Sequence, residues 1–283
     1  MNDYRTYLEN AQLNSTTKRR KRRHRFLLGI LLTAALVVGF TYQKQIDISR
    51  LKNIDVVETI SSAVSQFGDR KLPIYSVDTT DKKIALSFDA AWGAEDFNSL
   101  MDTLEKHNVK VTFFMTGGWV DDNPDCVKAL VEKGHELGNH SEHHYDMATI
   151  SSAEQKEEIM NVHDKVKELT GYEMHVFRPP YGSYNNDLID TVYGCDYYPI
   201  EWNVDSLDWK NYGIQNIIDT VCNHKDLGCG SIILCHNGAK YTAQALDEML
   251  TKLESMGYEI VPVSGLIMTE NYHMDVNGKQ IKD

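Results

Sequence analysis

Cysteine is scarce in this chain. Its 283 residues include five, at positions 126, 195, 222, 229 and 235. The count is odd and no C-x-x-C occurs, which excludes a disulfide-dense scaffold. A single Cys222–Cys229 bridge and buried free thiols both remain open. Positive charge is also scarce over most of the length. Eight of the 29 Lys/Arg residues, but only two of the 41 Asp/Glu residues, fall within residues 1–25. The remainder therefore carries −18 (21 basic against 39 acidic residues). Such an acidic body is a poor match for nucleic acid. Internal repeats are absent, and so are low-complexity tracts beyond one basic cluster, which excludes repeat architectures. The length allows one large domain or two small ones with appendages.

Charge is missing altogether from FLLGILLTAALVVGFTY, residues 26–42, which follow KRRKRRHR. At 1.5 Å per residue this run spans about 25 Å, at the short end of what crosses a bilayer. A buried core helix would not be apolar all round between dense charges. A secretory signal peptide is the rival reading, but the run ends GFTYQKQ without an A-x-A cleavage pattern. The expectation is a cytoplasmic basic segment over 1–25 and a single-pass transmembrane signal anchor over 26–42. The rest then lies outside the cell, by the positive-inside rule. Residues 43–72 show rough helical periodicity and read as a stalk, or alternatively as a docking helix.

From Pro73 onward, short β-rich runs alternate with helical stretches. The runs are IALSF, VTFFMT, HELGNH, HVFRPP, YYPIEWN, SIILCH and YEIVPVS. Between them, NPDCVKALVEKG has a proline at its first helical position and stops at Gly134. The long helix that ends at Gly171 has Ser152 three places before Gln155, a capping-box spacing. NSLMDTLEKH and YTAQALDEMLTKLESMG complete the set. Strands separated by helices mean parallel βαβ units, hence a barrel or an open doubly wound sheet. Both gather function at the C-terminal ends of their strands.

Chemistry-bearing residues collect at those ends: Asp89; His140 and His144; Arg178 and Tyr181; Asp205, Asp208 and Trp209; His236. Each has a bland alternative. An isolated H-x-x-x-H is more often a solvated pair than a metal site. An arginine before two prolines can simply cap a turn. Trp209 is more often core than substrate platform, Asp208 a surface acid, and His236 a satisfied core histidine. Their common placement is what points to a site.

SFDAAWG, HSEHH, RPPYG, DSLDW and IILCH, in this order, resemble the five motifs of the carbohydrate-esterase family 4 polysaccharide deacetylases, the NodB-homology domain. The resemblance covers residues 73–268 and leaves a tail at 269–283. It implies a distorted (β/α) barrel of seven or eight strands. It also implies metal-assisted removal of N-acetyl groups from N-acetylglucosamine-type polymers. Carried over by position, Asp89 resembles the general base and Arg178 the residue that orients it. His140 and His144 resemble the metal ligands, and His236 the general acid tuned by Asp208. The Tyr181 N–H resembles the oxyanion donor, Trp209 a groove wall, and Leu234 the lining of the acetyl pocket. The ion implied is divalent, zinc first, with cobalt, nickel or manganese as alternatives.

The first motif departs from the family pattern, because Ala90 stands where a second aspartate would bind the metal. This DAAWG form resembles a branch of bacterial envelope and sporulation-associated members. The third ligand is then Asp89 with waters, or Glu142 or Asp146 swinging in. The expected substrate is peptidoglycan, in a bacterial and Gram-positive setting, and no protein partner is implied. Two other readings stand beside this one. One is a glycan-binding protein whose catalysis is impaired at Ala90. The other is a glycosidase, which would need two flanking carboxylates and would leave HSEHH and RPPYG without a role.

Overall fold

The computed structural model describes residues 70–283. The basic segment 1–25, the apolar run 26–42 and the stalk up to residue 69 lie outside the described residues. Among those described, no helix is long and apolar enough to cross a membrane.

Parallel strands build one curled sheet. They are β2 (Lys83–Ala90), β3 (Thr112–Met115), β4 (Glu136–Asn139), β5 (Val176–Phe177), β6 (Tyr198–Pro199), β7 (Val204–Asp205) and β8 (Ile232–His236). Their hydrogen-bonded order is β6-β5-β4-β3-β2-β8-β7. In a doubly wound sheet, β7 would sit beside β2. Here β8 does, and β7 is outermost, which is the order of a ring. The ring is split between β6 and β7, making a half-barrel. The segment before the sheet spans that split, with Ile74 bridged to Ile200 and Ser76 to Ser231. A further strand, β9 (Glu259–Val261), pairs with the first residues of β2.

The seven β-rich runs of the sequence correspond to β2–β6, β8 and β9. The two-residue β7 is too short to show a period. Residues 269–283 carry more than an extension. There β10 (Tyr272–Met274) and β11 (Lys279–Lys282) form a hairpin that pairs with β1 (Ser76–Val77). Asn277-Gly278 at the turn is the sequence signal for it.

Helices cover the outer face: α1 (Phe97–Lys106), α2 (Gly117–Asp122), α3 (Pro124–Glu132), α4 (Ser152–Thr170), α5 (Asn186–Gly194), α6 (Ile214–Cys222) and α7 (Thr242–Ser255). The capping box of α4 lies one residue earlier than the sequence spacing suggested. Ser151 is the N-cap and exchanges hydrogen bonds with Glu154. Gln155 instead turns inward and donates to the carbonyl of Met147. Gly171 closes α4 with φ of 75°, which glycine adopts without strain. All five cysteines are free thiols, which settles the bridge question in favour of thiols.

Strand alternation sorts the side chains into two layers. Ile84, Leu86, Phe88, Phe113, Met115, Leu137, Phe177, Ile233 and Cys235 belong to the large cluster under the helices. Phe88 stacks on Phe113 with ring centroids 5.0 Å apart. Ala85, Phe114, Val176, Ile200 and Ile232 belong to a smaller inner cluster. Ser87, Asp89, Arg178 and His236 continue the inner alternation upward to the rim. Ala90, next to Asp89, is wholly buried in the outer cluster.

Candidate active site

Asp89 is nine-tenths buried at the end of β2 and stands opposite His236 in the β2–β8 register. Arg178 follows β5 and is completely buried. Its Nη1 donates to Asp89 Oδ1 at 2.7 Å, and its Nη2 donates to Ser87 Oγ at 2.8 Å. The guanidinium carbon lies 4.1 Å from the Phe114 ring centroid, a cation–π contact in a dry interior. Burial alone would raise the Asp89 pKa. The charge of Arg178 beside it, aided by His236, outweighs burial and holds it below the ordinary carboxylate range.

His140 and His144 converge. The loop after β4, residues 140–146, turns sharply, with Ser141 and His144 in the left-handed region at φ 66° and 59°. The Nε2 atoms of His140 and His144 come within 3.2 Å of each other. His140 Nδ1 lies 2.7 Å from the carbonyl oxygen of Arg178. That partner accepts only, so Nδ1 carries the proton and Nε2 presents its lone pair. Burial lowers both imidazole pKa values, that of His144 to about 3, with the neighbouring His140 adding to the effect. Both rings are therefore neutral near pH 7, the form that binds a metal.

The spacing of these two nitrogens matches two donors of one divalent ion. An ion about 2.0–2.1 Å from each nitrogen in tetrahedral geometry sets its donors about 3.3 Å apart. Asp89 Oδ2 lies 3.5 Å from His140 Nε2. A complete cluster of three His, Cys, Asp or Glu side chains is absent among the described residues. The reason is local: Ala90 supplies no donor, and one Asp89 oxygen already belongs to Arg178. Glu142 Oε1 is ion-paired with Lys165 while its Oε2 is buried without a hydrogen-bond partner, and Asp146 accepts from the Ala148 N–H to form a turn.

Across the rim, Asp208 begins the short turn Asp208–Lys210 and is completely buried. Four donors surround its carboxylate. Oδ1 takes His236 Nδ1 at 2.7 Å and the Trp209 N–H at 2.8 Å. Oδ2 takes the His236 N–H and the Thr242 hydroxyl, both at 2.7 Å. Burial opposes charge in both partners. The charge of His236 and these hydrogen bonds nevertheless hold Asp208 low, and Asp208 holds His236 above the ordinary imidazole value. Asp208 thus favours the cationic form of His236, which faces an anionic Asp89.

Tyr181 has φ of 63°, and its ring meets His144 edge-on at 4.5 Å between centroids. Leu234 points inward one alternation below His236 and is nearly fully buried. Trp209 is half-buried beside Lys210, whose Nζ lies 5.0 Å from its ring centroid. Asp205 accepts from the Leu207 N–H and shapes the loop. A cleft of about 700 Å³ adjoins the histidines, with His144, Trp92, Trp119, Tyr145 and Glu142 in its walls.

Sequence reasoning missed four contributors. Ser87 lies two residues before Asp89, and that spacing places it on the same face. Trp92 tilts over the His236 ring at 5.4 Å. Thr242 caps Asp208 from α7. Glu201 is a buried acid beside Arg178.

Comparison with known proteins agrees with this geometry. Residues 76–200 match the family model described as polysaccharide deacetylase. The chain is 30% identical over 208 residues to peptidoglycan-N-acetylmuramic acid deacetylase PdaA of Bacillus subtilis, covering 71% of this chain and 77% of that protein. It is 38% identical over 198 residues to peptidoglycan-N-acetylglucosamine deacetylase PgdA of Listeria monocytogenes, covering 69% of this chain but only 41% of that protein. Among solved structures, it resembles a Bacillus anthracis protein described as a CE4 family pseudoenzyme, at 30% identity and a TM-score of 0.66, covering 74% of this chain and 70% of that one. A mutant of that protein is described as having restored enzymatic activity. The chain belongs to the polysaccharide deacetylase family, carbohydrate esterase family 4.

Proposed function

We propose that this chain is a membrane-anchored, outward-facing N-deacetylase acting on N-acetylglucosamine-type residues of an envelope polysaccharide, peptidoglycan first. The observation that carries it is the pairing of opposite charges across one rim. Asp89 is held ionised by Arg178, and His236 is held cationic by Asp208, on adjacent strands in register. Deacetylation needs both at once, because water must lose a proton while the leaving amine gains one.

His140 and His144, with Asp89 Oδ2 alongside, would hold the divalent ion, zinc first with cobalt, nickel or manganese as alternatives. When bound, it polarises the acetyl carbonyl and makes water easier to deprotonate. Asp89 takes the proton from the attacking water, with Arg178 and Ser87 keeping it oriented. The Tyr181 N–H donates to the oxyanion as it develops. His236 protonates the departing nitrogen, and acetate and a glucosamine unit leave. Leu234 lines the space for the acetyl methyl, and Trp209 a wall of the sugar groove. The anchor at 26–42, with residues 1–25 cytoplasmic and 43–72 as a stalk, would present the domain to the wall of a Gram-positive cell.

A second reading is favoured by Ala90 and by the pseudoenzyme resemblance: a glycan-binding protein that no longer turns over. Acetate release from N-acetylglucosamine oligomers, titrated with Zn²⁺, Co²⁺, Ni²⁺ and Mn²⁺, separates the two. Metal-dependent acetate supports the deacetylase. Glycan binding with no acetate at any metal concentration supports the second reading.

A further inference from the structure

Glu201 lies two residues past β6, within the run YYPIEWN. Its N–H donates to the Ile74 carbonyl at 2.8 Å, and its own carbonyl accepts from Arg178 Nη2 at 3.4 Å. The residue is 2% exposed, and its carboxyl Oε1 has no hydrogen-bond partner. Oε2 packs against Gly182 so closely that a Cβ there would come within 3.1 Å of it. Gly182 and Tyr181 are successive left-handed residues, at φ 61° and 63°, in the turn that presents the Tyr181 N–H.

One buried residue thus adjoins two parts of the site, meeting through its carbonyl the arginine that holds Asp89 and through its carboxyl the Tyr181–Gly182 turn. The charged and titratable groups facing it are Arg178 after β5, Asp89 on β2, and Tyr75 before β1. Behind Tyr75 stand Tyr184, whose hydroxyl is 3.2 Å from that of Tyr75, and Arg70, which donates to Tyr184.

We propose that Glu201 is a positioning residue that works as the uncharged acid, supporting the Tyr181–Gly182 turn and leaving the Arg178 charge to Asp89. On ionising it draws on the same guanidinium, loosens Asp89 and ends turnover on the alkaline side. The charge count supports this. Arg178 is fixed positive and Asp89 is held negative, so a second anion in a dry interior has no counter-charge of its own. Burial accordingly pushes the Glu201 carboxyl up to about 8, with Asp89 adding to the rise and Arg178 opposing it.

The proposal rests on the deacetylase reading. It is tested on the full chain in detergent, with Glu201→Gln as the neutral isostere and Glu201→Ala as the truncation. Carbon-13 NMR of side-chain carboxyls should show one group titrating near 8 that is absent in Glu201→Gln, whatever the turnover. Acetate release from N-acetylglucosamine oligomers with Zn²⁺ should fall on the alkaline side in the wild type. In Glu201→Gln that fall should move up by about one pH unit or more. Glu201→Ala should lower kcat about tenfold with little change in KM, and Glu201→Gln should recover most of that loss. Titration of Glu201 in the ordinary carboxylate range overturns the proposal. So do superimposed wild-type and Glu201→Gln profiles in an active enzyme. No acetate from the wild type would instead defeat the deacetylase reading, and this proposal with it.

Discussion

Two sets of imidazoles face each other across the rim, and the fold drives them in opposite directions. His140 is buried and His144 partly so; Asp89 Oδ2 lies 3.5 Å from His140 Nε2, but burial outweighs its charge and both rings stay neutral. His236 is also partly buried, but Asp208 meets its Nδ1 at 2.7 Å in a direct ion pair and holds its pKa above the ordinary imidazole value. Burial is common to both sides. The partner decides the protonation state, and with it whether the ring can bind an ion or donate a proton. The aspartates repeat the lesson. Asp89 and Asp208 are both buried and both low, Asp89 through the charge of Arg178 and Asp208 through the charge of His236 and its four donors.

The largest break in this comparison removes a fixed charge. Arg178→Met leaves Asp89 buried without its partner, and loss of one member of a buried pair costs about 3–5 kcal/mol. Chemical denaturation should show that loss, and Asp89 should titrate higher. Unchanged stability would mean that Asp89 does not depend on Arg178.

Asp208→Asn removes the anion that charges His236. Turnover should fall about 10²–10⁴-fold, the usual range for a lost acid–base partner, with KM changing much less. A steady-state comparison at several pH values checks this. Equal loss at every pH would point to damaged packing rather than altered protonation.

A smaller effect follows from linkage. His236 has a folded pKa above its ordinary 6.5. Its contribution to stability is complete below that value and is lost as pH rises through the raised one. Asp208 is held below its ordinary 3.8, so its contribution is present above that value and is lost as pH falls through the lowered one. Thermal unfolding from pH 5 to 9 should therefore show an alkaline decline in the wild type that flattens in Asp208→Asn. The smallest change is Thr242→Val, which removes one hydrogen bond to a charged acceptor and should cost about 1.5–3 kcal/mol. Its melting temperature should drop while both carboxylate–histidine contacts persist.

Much of this was legible in the sequence because strands are. A strand end fixes which face a side chain takes, so IALSF-Asp89, HELGN-His140, HVF-Arg178 and IILC-His236 fall on one rim from the sequence pattern alone. Alternation also separated Asp89 from Ala90, which lies in the outer apolar layer. Other features depend on partners far along the chain. Thr242 reaches Asp208 from α7, and Glu201 lies among aromatic residues that read as ordinary strand. The fate of Glu142 was equally hidden, since its pairing with Lys165 joins two elements with no local signal. Ser151 rather than Ser152 caps α4 because two serines and two acceptors in SSAEQ allow either register, and packing of Gln155 selects one.

In the proposed mechanism, His140 and His144 hold a catalytic divalent ion beside Asp89 although Ala90 supplies no ligand. Zinc binding by the purified, chelator-stripped protein, with acetate release from N-acetylglucosamine oligomers followed in the same titration, tests it most directly. Acetate release should rise with zinc occupancy at one site, and His144→Ala and Asp89→Asn should abolish it. Acetate release that is indifferent to zinc and survives both substitutions, or zinc occupancy that His140→Ala and His144→Ala leave unchanged, would contradict it.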